Sequence, residues 1–128
     1  MTLVVDTSIL ISHLRGNPRA QAVLAEAFDE GHRVAASVLS RLEVWAGMRD
    51  AEELETRRLL GLFEWISVDS SLADIAGDLA RKYLRSHPGI DPVDYIIAAT
   101  TQELGAELWT CNLKHFPMLP GSARDPLV

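Results

Sequence analysis

Short, wholly apolar runs alternate along this chain with longer stretches in which apolar residues recur every three or four positions. Leu3-Val4-Val5 ends at Asp6, and Ile9, Leu10 and Leu14 then take helical spacing, so a strand passes directly into a helix. Asn17-Pro18 supplies a cap and a first-turn proline, and Ala20, Val23, Leu24, Ala27 and Phe28 keep one helical face apolar until Gly31. Arg33-Val34-Ala35-Ala36 predicts a second strand, and Ser37 caps a helix to about Gly47. Asp50 and Glu53 together predict a capping box for a further helix through Phe63.

The alternation continues to the end of the chain. Trp65-Ile66-Ser67-Val68 predicts a third strand, and Leu72, Ile75, Ala76, Leu79 and Tyr83 a helix closed by His87-Pro88-Gly89. Asp91-Pro92 opens a helix to about Leu104, Gly105 ends it, and Glu107-Leu108-Trp109-Thr110 is the fourth strand. Phe116-Pro117-Met118-Leu119 predicts a short edge strand, with residues 120–128 as a polar tail. Repeated βα units of this length imply a mainly parallel sheet of four or five strands with helices on both faces, a three-layer α/β/α sandwich formed as one domain over residues 1–128.

Composition narrows the chemistry. The single cysteine, Cys111, cannot form an internal disulfide and argues against a thiolate metal cage. No apolar run approaches the ~20 residues needed to span a bilayer, and no signal-peptide pattern opens the chain, so the expected location is the cytoplasm. A net charge of -6 argues against binding nucleic acid through bulk charge.

Ligands of open parallel sheets collect beyond the carboxyl ends of the strands. The residues there are Asp6, Ser37, Asp69 and Cys111-Asn112, and two helices starting near the same edge add Glu43 and Asp94. Asp6 is equally explained as a helix cap, and Asp69 and Asp91 read as caps of their own helices. Glu43 is harder to explain structurally: it shares a stripe with Leu39, Leu42 and Ala46, which predicts a core-facing carboxylate. Asp94 lies on a face with Ile97, Ala98 and Thr101. Ionised carboxylates on apolar faces need protonation, a cationic partner or a wet pocket rim.

Three such groups from distant segments repel one another unless a divalent cation neutralises them. An all-oxygen set suits Mg²⁺ or Mn²⁺, whereas His13, His32, His87 and His115 show no spacing suited to zinc. The natural reaction for such a site is phosphodiester hydrolysis. The metal also lets an acidic protein accept RNA, by reversing the potential inside the site.

Four motifs carry a family resemblance: V-V-D-T-S-I-L-I at residues 4–11, S-x5-E-x3-G through Ser37, Glu43 and Gly47, D-Y-I-I-A-A-T at 94–100, and T-C-N-L-K-H-F at 110–116. In this order they resemble the PIN-domain ribonucleases, specifically VapC-type toxins of toxin-antitoxin pairs. The resemblance implies a PIN-like fold and Mg²⁺-dependent cleavage of structured RNA such as tRNA or ribosomal RNA. It matches Asp6, Glu43 and Asp94 to the acidic metal-site positions, with Thr7 or Ser8 and Thr110 as hydroxyl neighbours. Asn112 stands where a fourth acid is frequent, which puts a tightly held second metal in doubt.

The resemblance also implies homodimers and inhibition by a VapB-type antitoxin in a groove beside the site, for which Trp45, Met48, Leu59, Leu62 and Phe63 are the candidate lining. Two other readings stay open: a PIN-like binding module without catalysis, and a receiver-like signalling domain phosphorylated on Asp69.

Overall fold

The computed structural model describes residues 1–128. Five parallel strands, β1 (Thr2–Val5), β2 (Arg33–Ser37), β3 (Glu64–Ile66), β4 (Glu107–Trp109) and β5 (Ala123–Arg124), form one sheet in the order β3-β2-β1-β4-β5. Six helices surround it: α1 (Thr7–Leu14), α2 (Pro18–Asp29), α3 (Val38–Ala46), α4 (Glu53–Leu60), α5 (Ser70–Tyr83) and α6 (Pro92–Glu103). The arrangement is the expected three-layer sandwich.

Strand alternation builds two cores. Leu3, Val5, Val34, Ala36 and Trp109 face one side, where Ile9, Leu10, Val23, Leu24, Val44 and Leu60 cover them. Val4 and Leu108 face the other, against Leu72, Ala76, Leu79, Ile97 and Ala98 of α5 and α6. The caps read from sequence form: Asn17 Oδ1 accepts the Ala20 N–H at 3.0 Å, and Asp69 Oδ1 accepts that of Leu72 at 2.9 Å. Gly31 and Gly105 follow helix ends with φ of 75° and 58°, conformations that glycine adopts without a Cβ clash. No helix is long and apolar enough to cross a membrane.

Three local expectations fail for identifiable reasons. Phe116, Met118 and Leu119 do not form an edge strand. All three are buried in the second core, where Pro117 and Pro120 favour turns, and the edge strand is β5. Residues 120–128 are therefore no loose tail: Leu108 and Trp109 pair with Ala123 and Arg124, Arg19 Nε donates to the Pro126 carbonyl at 3.2 Å, and Leu127 packs on the first core. The Asp50–Glu53 capping box is replaced by a 3-10 turn over Asp50–Glu52 in which Glu52 Oε1 accepts the Arg49 N–H at 2.9 Å, and α4 stops at Leu60 rather than Phe63.

The third failure concerns α3. It packs through Ser40 and Val44, while Leu42 is 62% exposed, so Leu39, Leu42 and Ala46 do not make a core face. Glu43 consequently stands at the edge of the buried face rather than within it.

The last strand supplies a test. Deleting residues 123–128 removes the β5 ladder and the Leu127 contact, a loss of about 2 kcal/mol. Thermal melting should show Tm falling by roughly 5–10 °C. A change within one or two degrees would return the segment to the status of a tail.

Candidate active site

Strand order locates the crevice. The connections run from β1 through β2 to β3 on one side and cross to β4 and β5 on the other, so the topological switch lies between β1 and β4. Asp6 directly follows β1, and Thr110, Cys111 and Asn112 follow β4. An open cavity of about 390 Å³ lies there, bringing Asp6, Thr7, Ser8, Glu43, Asp94 and Asn112 to one place with Asp91 and His115.

Asp6 is 4% exposed and its carboxylate is held by three donors. Its Oδ1 accepts the Thr7 N–H at 2.8 Å, and Oδ2 accepts the hydroxyls of Ser8 at 2.9 Å and Thr110 at 2.7 Å. Helix capping does not explain this set, because a cap serves the second or third helical N–H and recruits no hydroxyl from another strand. A carboxylate offers about four lone-pair directions, so three donors leave one for a ligand. Ser8 and Thr110 are themselves fixed, accepting the N–H groups of Cys111 at 3.0 Å and Asn112 at 2.9 Å.

Glu43 reaches the same cavity from α3. Its Oε1 accepts the Thr7 hydroxyl at 2.6 Å, and Thr7 Oγ1 also lies 2.9 Å from Ser40 Oγ. Thr7 has one hydroxyl proton, which goes to the carboxylate, so the Ser40 hydroxyl is left to donate to Thr7. Thr7 thereby ties the first acid's helix to the second acid. Of the alternatives for a carboxylate on this helix, the pocket rim is the one realised.

Asp94 enters from α6 and is 9% exposed. It forms a reciprocal box with Asp91: Asp91 Oδ1 accepts the Asp94 N–H at 3.0 Å, and Asp94 Oδ2 accepts that of Asp91 at 3.3 Å. Burial pushes the Asp94 carboxyl up to about 6 from its ordinary 3.8, the charges of Asp91 and Asp6 push it the same way, and the Asp91 N–H and His115 oppose them. The crevice thus concentrates negative charge with His115 as the one lining residue able to carry positive charge.

Side chains expected from sequence divide as follows. Asp6, Thr7, Ser8, Glu43, Asp94 and Asn112 line the cavity, and Thr110 supports it from beneath. Ser37 does not belong: it is fully buried and its Oγ accepts the Leu39 N–H at 3.2 Å, a helix cap. Asp69 follows the edge strand β3 and caps α5, which removes the structural basis for a receiver-like phosphoacceptor. Ser40 and His115 were not legible as site residues. Ser40 sits one turn before Glu43, a signal available in principle, whereas the His115 contact depends on how the chain turns after β4.

The suggested groove residues also divide. Phe63 is buried in the first core, and Trp45 lies under the Arg57 guanidinium at 5.1 Å. Met48 lines a depression with Ile11, Leu14 and Val44, and Leu59 and Leu62 line another with His13, Glu55 and Arg58.

No three His, Cys, Asp or Glu side chains close on a single point as a metal cage. The donor chemistry nonetheless fits Mg²⁺ or Mn²⁺, because such ions bind through one or two carboxylates and keep several waters. Burial chiefly, with the charges of Asp91 and Asp6 besides, disfavours ionised Asp94 in the crevice, a cost that a cation relieves.

The sequence model of the PIN domain family matches residues 3–117. The chain is 45% identical over 117 residues to the protein named Ribonuclease VapC19 of Mycobacterium tuberculosis, covering 91% of this chain and 94% of that one. It is 43% identical over 116 residues to Ribonuclease VapC10 of the same organism, covering 91% and 86%. A solved toxin-antitoxin complex from Klebsiella pneumoniae contains a chain with 30% identity, a TM-score of 0.80 and 97% of each chain covered. An acidic crevice at the β1/β4 switch point and likeness along nearly the whole chain agree: this protein belongs to the PIN-domain family, among its VapC-type ribonucleases.

Proposed function

We propose that this ribonuclease is a toxin whose crevice cleaves structured cellular RNA, tRNA or ribosomal RNA, with Mg²⁺ or with Mn²⁺ as substitute. The supporting observation is the meeting of Asp6, Glu43 and Asp94, buried or half-buried, in one cavity with a single chargeable base. Asp6, Asp94 and Glu43 would hold the ion, and Asn112 would contribute a neutral oxygen or donor in place of a fourth acid. When bound, the ion would supply Lewis-acid activation of water and neutralise charge developing on the phosphodiester. The protein's part is preorganisation: Thr7, Ser8 and Thr110 hold the Asp6 and Glu43 oxygens in place before RNA arrives.

An antitoxin of VapB type is the inhibitor in this reading, and the cytoplasm its setting. Its docking surface is the α1/α4 flank, where Leu62 is 59% exposed beside Leu59 and His13. Burial lowers the pKa of His13, opposed by the Glu55 charge, and its Nδ1 has no partner within the chain. The chain also forms a homodimer, for which the apolar α5/α6 flank carrying Leu84 is the suited face.

Four measurements test these statements. Asp6→Asn or Asp94→Asn removes several kcal/mol of transition-state stabilisation, so cleavage of total cellular RNA with Mn²⁺ should fall roughly a hundredfold or more while the fold persists. An unaltered, antitoxin-free chain that cuts no RNA with either metal would refute the reading.

The raised Asp94 pKa has a defined sign. Its contribution to stability is complete below the unfolded value near 3.8 and is lost as pH rises through about 6. In metal-free protein, the Tm of Asp94→Asn should therefore gain on the unaltered chain between pH 4 and 6.5 and hold its lead above. A pH-independent difference would contradict the burial effect.

For the partners, light scattering of the chain alone should report twice its 14.1 kDa mass. Leu62→Ala should weaken antitoxin binding by about tenfold, as expected for a buried leucine contact. Unchanged affinity would remove Leu62 from the interface.

A further inference from the structure

An RNA strand brings more negative charge to a crevice that is already acidic. Asp6, Glu43, Asp91 and Asp94 all line the cavity, and the chain as a whole carries -6. A divalent ion in the crevice acts on the scissile phosphate, but the phosphates one nucleotide to either side lie outside it and need fixed positive charge at the rim. Several of the chain's cations are already committed: Arg15, Arg33, Arg57, Arg81 and Arg124 each lie within ion-pair distance of a carboxylate.

Lys114 is exposed and forms no ion pair, although Asn112 before it and His115 after it both line the acidic cavity. It is the one lysine or arginine with cavity-lining residues within two positions on both sides. The backbone explains why it stays free. The Asn112 N–H donates to Thr110 Oγ1 at 2.9 Å, and the Asn112 carbonyl accepts the His115 N–H at 2.9 Å, closing a 3-10 turn over Leu113–His115. Phe116, 3% exposed, anchors the far end of that turn in the second core. Three residues make one turn of such a helix, so successive side chains diverge by about 120°. With the His115 ring 3.2 Å from Asp94, the Lys114 side chain is directed away from Asp94 and out to solvent at the crevice rim.

We propose that Lys114 is a substrate-contacting residue: its ammonium binds a non-scissile phosphate of the RNA strand that enters the Asp6–Asp94 crevice. This rests on the RNA-cleaving reading above. The rigid turn holds a point charge beside the acids without letting it neutralise them, so the cation site keeps its charge and the rim gains a phosphate anchor. A phosphate contact carries no sequence information and is made equally before and during the reaction, so it acts on KM rather than on kcat or on the choice of cleavage site.

Initial rates on total cellular RNA with Mn²⁺, measured over a range of KCl concentrations, test the contact. Lys114→Ala should raise the apparent KM about tenfold at low salt, as expected for one charge-assisted contact, and leave kcat and the set of cleavage sites unchanged. The slope of log(kcat/KM) against log salt should become shallower by about 0.7–0.9, the counterion share of one phosphate. Lys114→Arg keeps the charge and should stay within about threefold of the unaltered chain. Mn²⁺ affinity, read from the electron paramagnetic resonance signal of the free ion, should be the same for Lys114→Ala and the unaltered chain. Arg33→Gln removes an equal charge at the opposite edge of the sheet, where Arg33 opens β2, and should leave KM unchanged. An unaltered KM and salt slope in Lys114→Ala would overturn the inference. An equal rise in KM for Arg33→Gln would also overturn it, by reducing the effect to bulk charge, and so would a loss of Mn²⁺ affinity in Lys114→Ala. An unaltered chain that cuts no RNA overturns the ribonuclease-site reading itself, and this inference with it.

Discussion

Two carboxylates, Asp6 and Asp94, are buried side chains at one open crevice, and the cost of withdrawing their charge from water is met differently at each. Asp6 is given three donors from α1 and from the end of β4. Asp94 has an amide and an imidazole on one oxygen and keeps an elevated pKa. The two are thus treated differently: one is pinned by hydrogen bonds, and the other retains an unrelieved electrostatic cost. Burial is the largest contribution to that cost at Asp94, and an oxygen-binding divalent cation is the kind of partner that offsets it.

The sheet supports this arrangement through its topology. Because β1 and β4 are adjacent but approached from opposite directions along the chain, no crossover helix covers the ends of both, and the space between them remains open. Pairing β1 with β4 also brings the Thr110 hydroxyl to Asp6 across a separation of 104 residues. Helix α6 completes the crevice because Tyr95 and Ile97–Thr101 are buried, which holds the start of the helix, and Asp94 with it, against the sheet.

Glu43 shows the limit of periodicity as a guide. Its apolar neighbours Leu39, Leu42 and Ala46 predict a buried stripe, yet α3 packs through Ser40 and Val44 and leaves Leu42 in water. Leucine on a helix surface is common, so an apolar stripe establishes a face without establishing what covers it. The carboxylate's setting is the rim of a pocket, and its partner is Thr7.

The sequence by itself determined the strand-helix alternation, the parallel sheet, most caps and the acids at the carboxyl edge, because those depend on local spacing and on the chemistry of single residues. It misplaced the final strand, because Phe116, Met118 and Leu119 are apolar enough for either a strand or a packed turn, and only the available core volume decides. It separated Ser37, which caps a helix, from Ser40, which meets Thr7, no better than spacing allows. Tertiary structure alone decided which strand ends flank the crevice, that Asp6 is more than a cap, and that His115 reaches Asp94. Each of these depends on contacts between segments far apart in sequence, which local pattern does not encode.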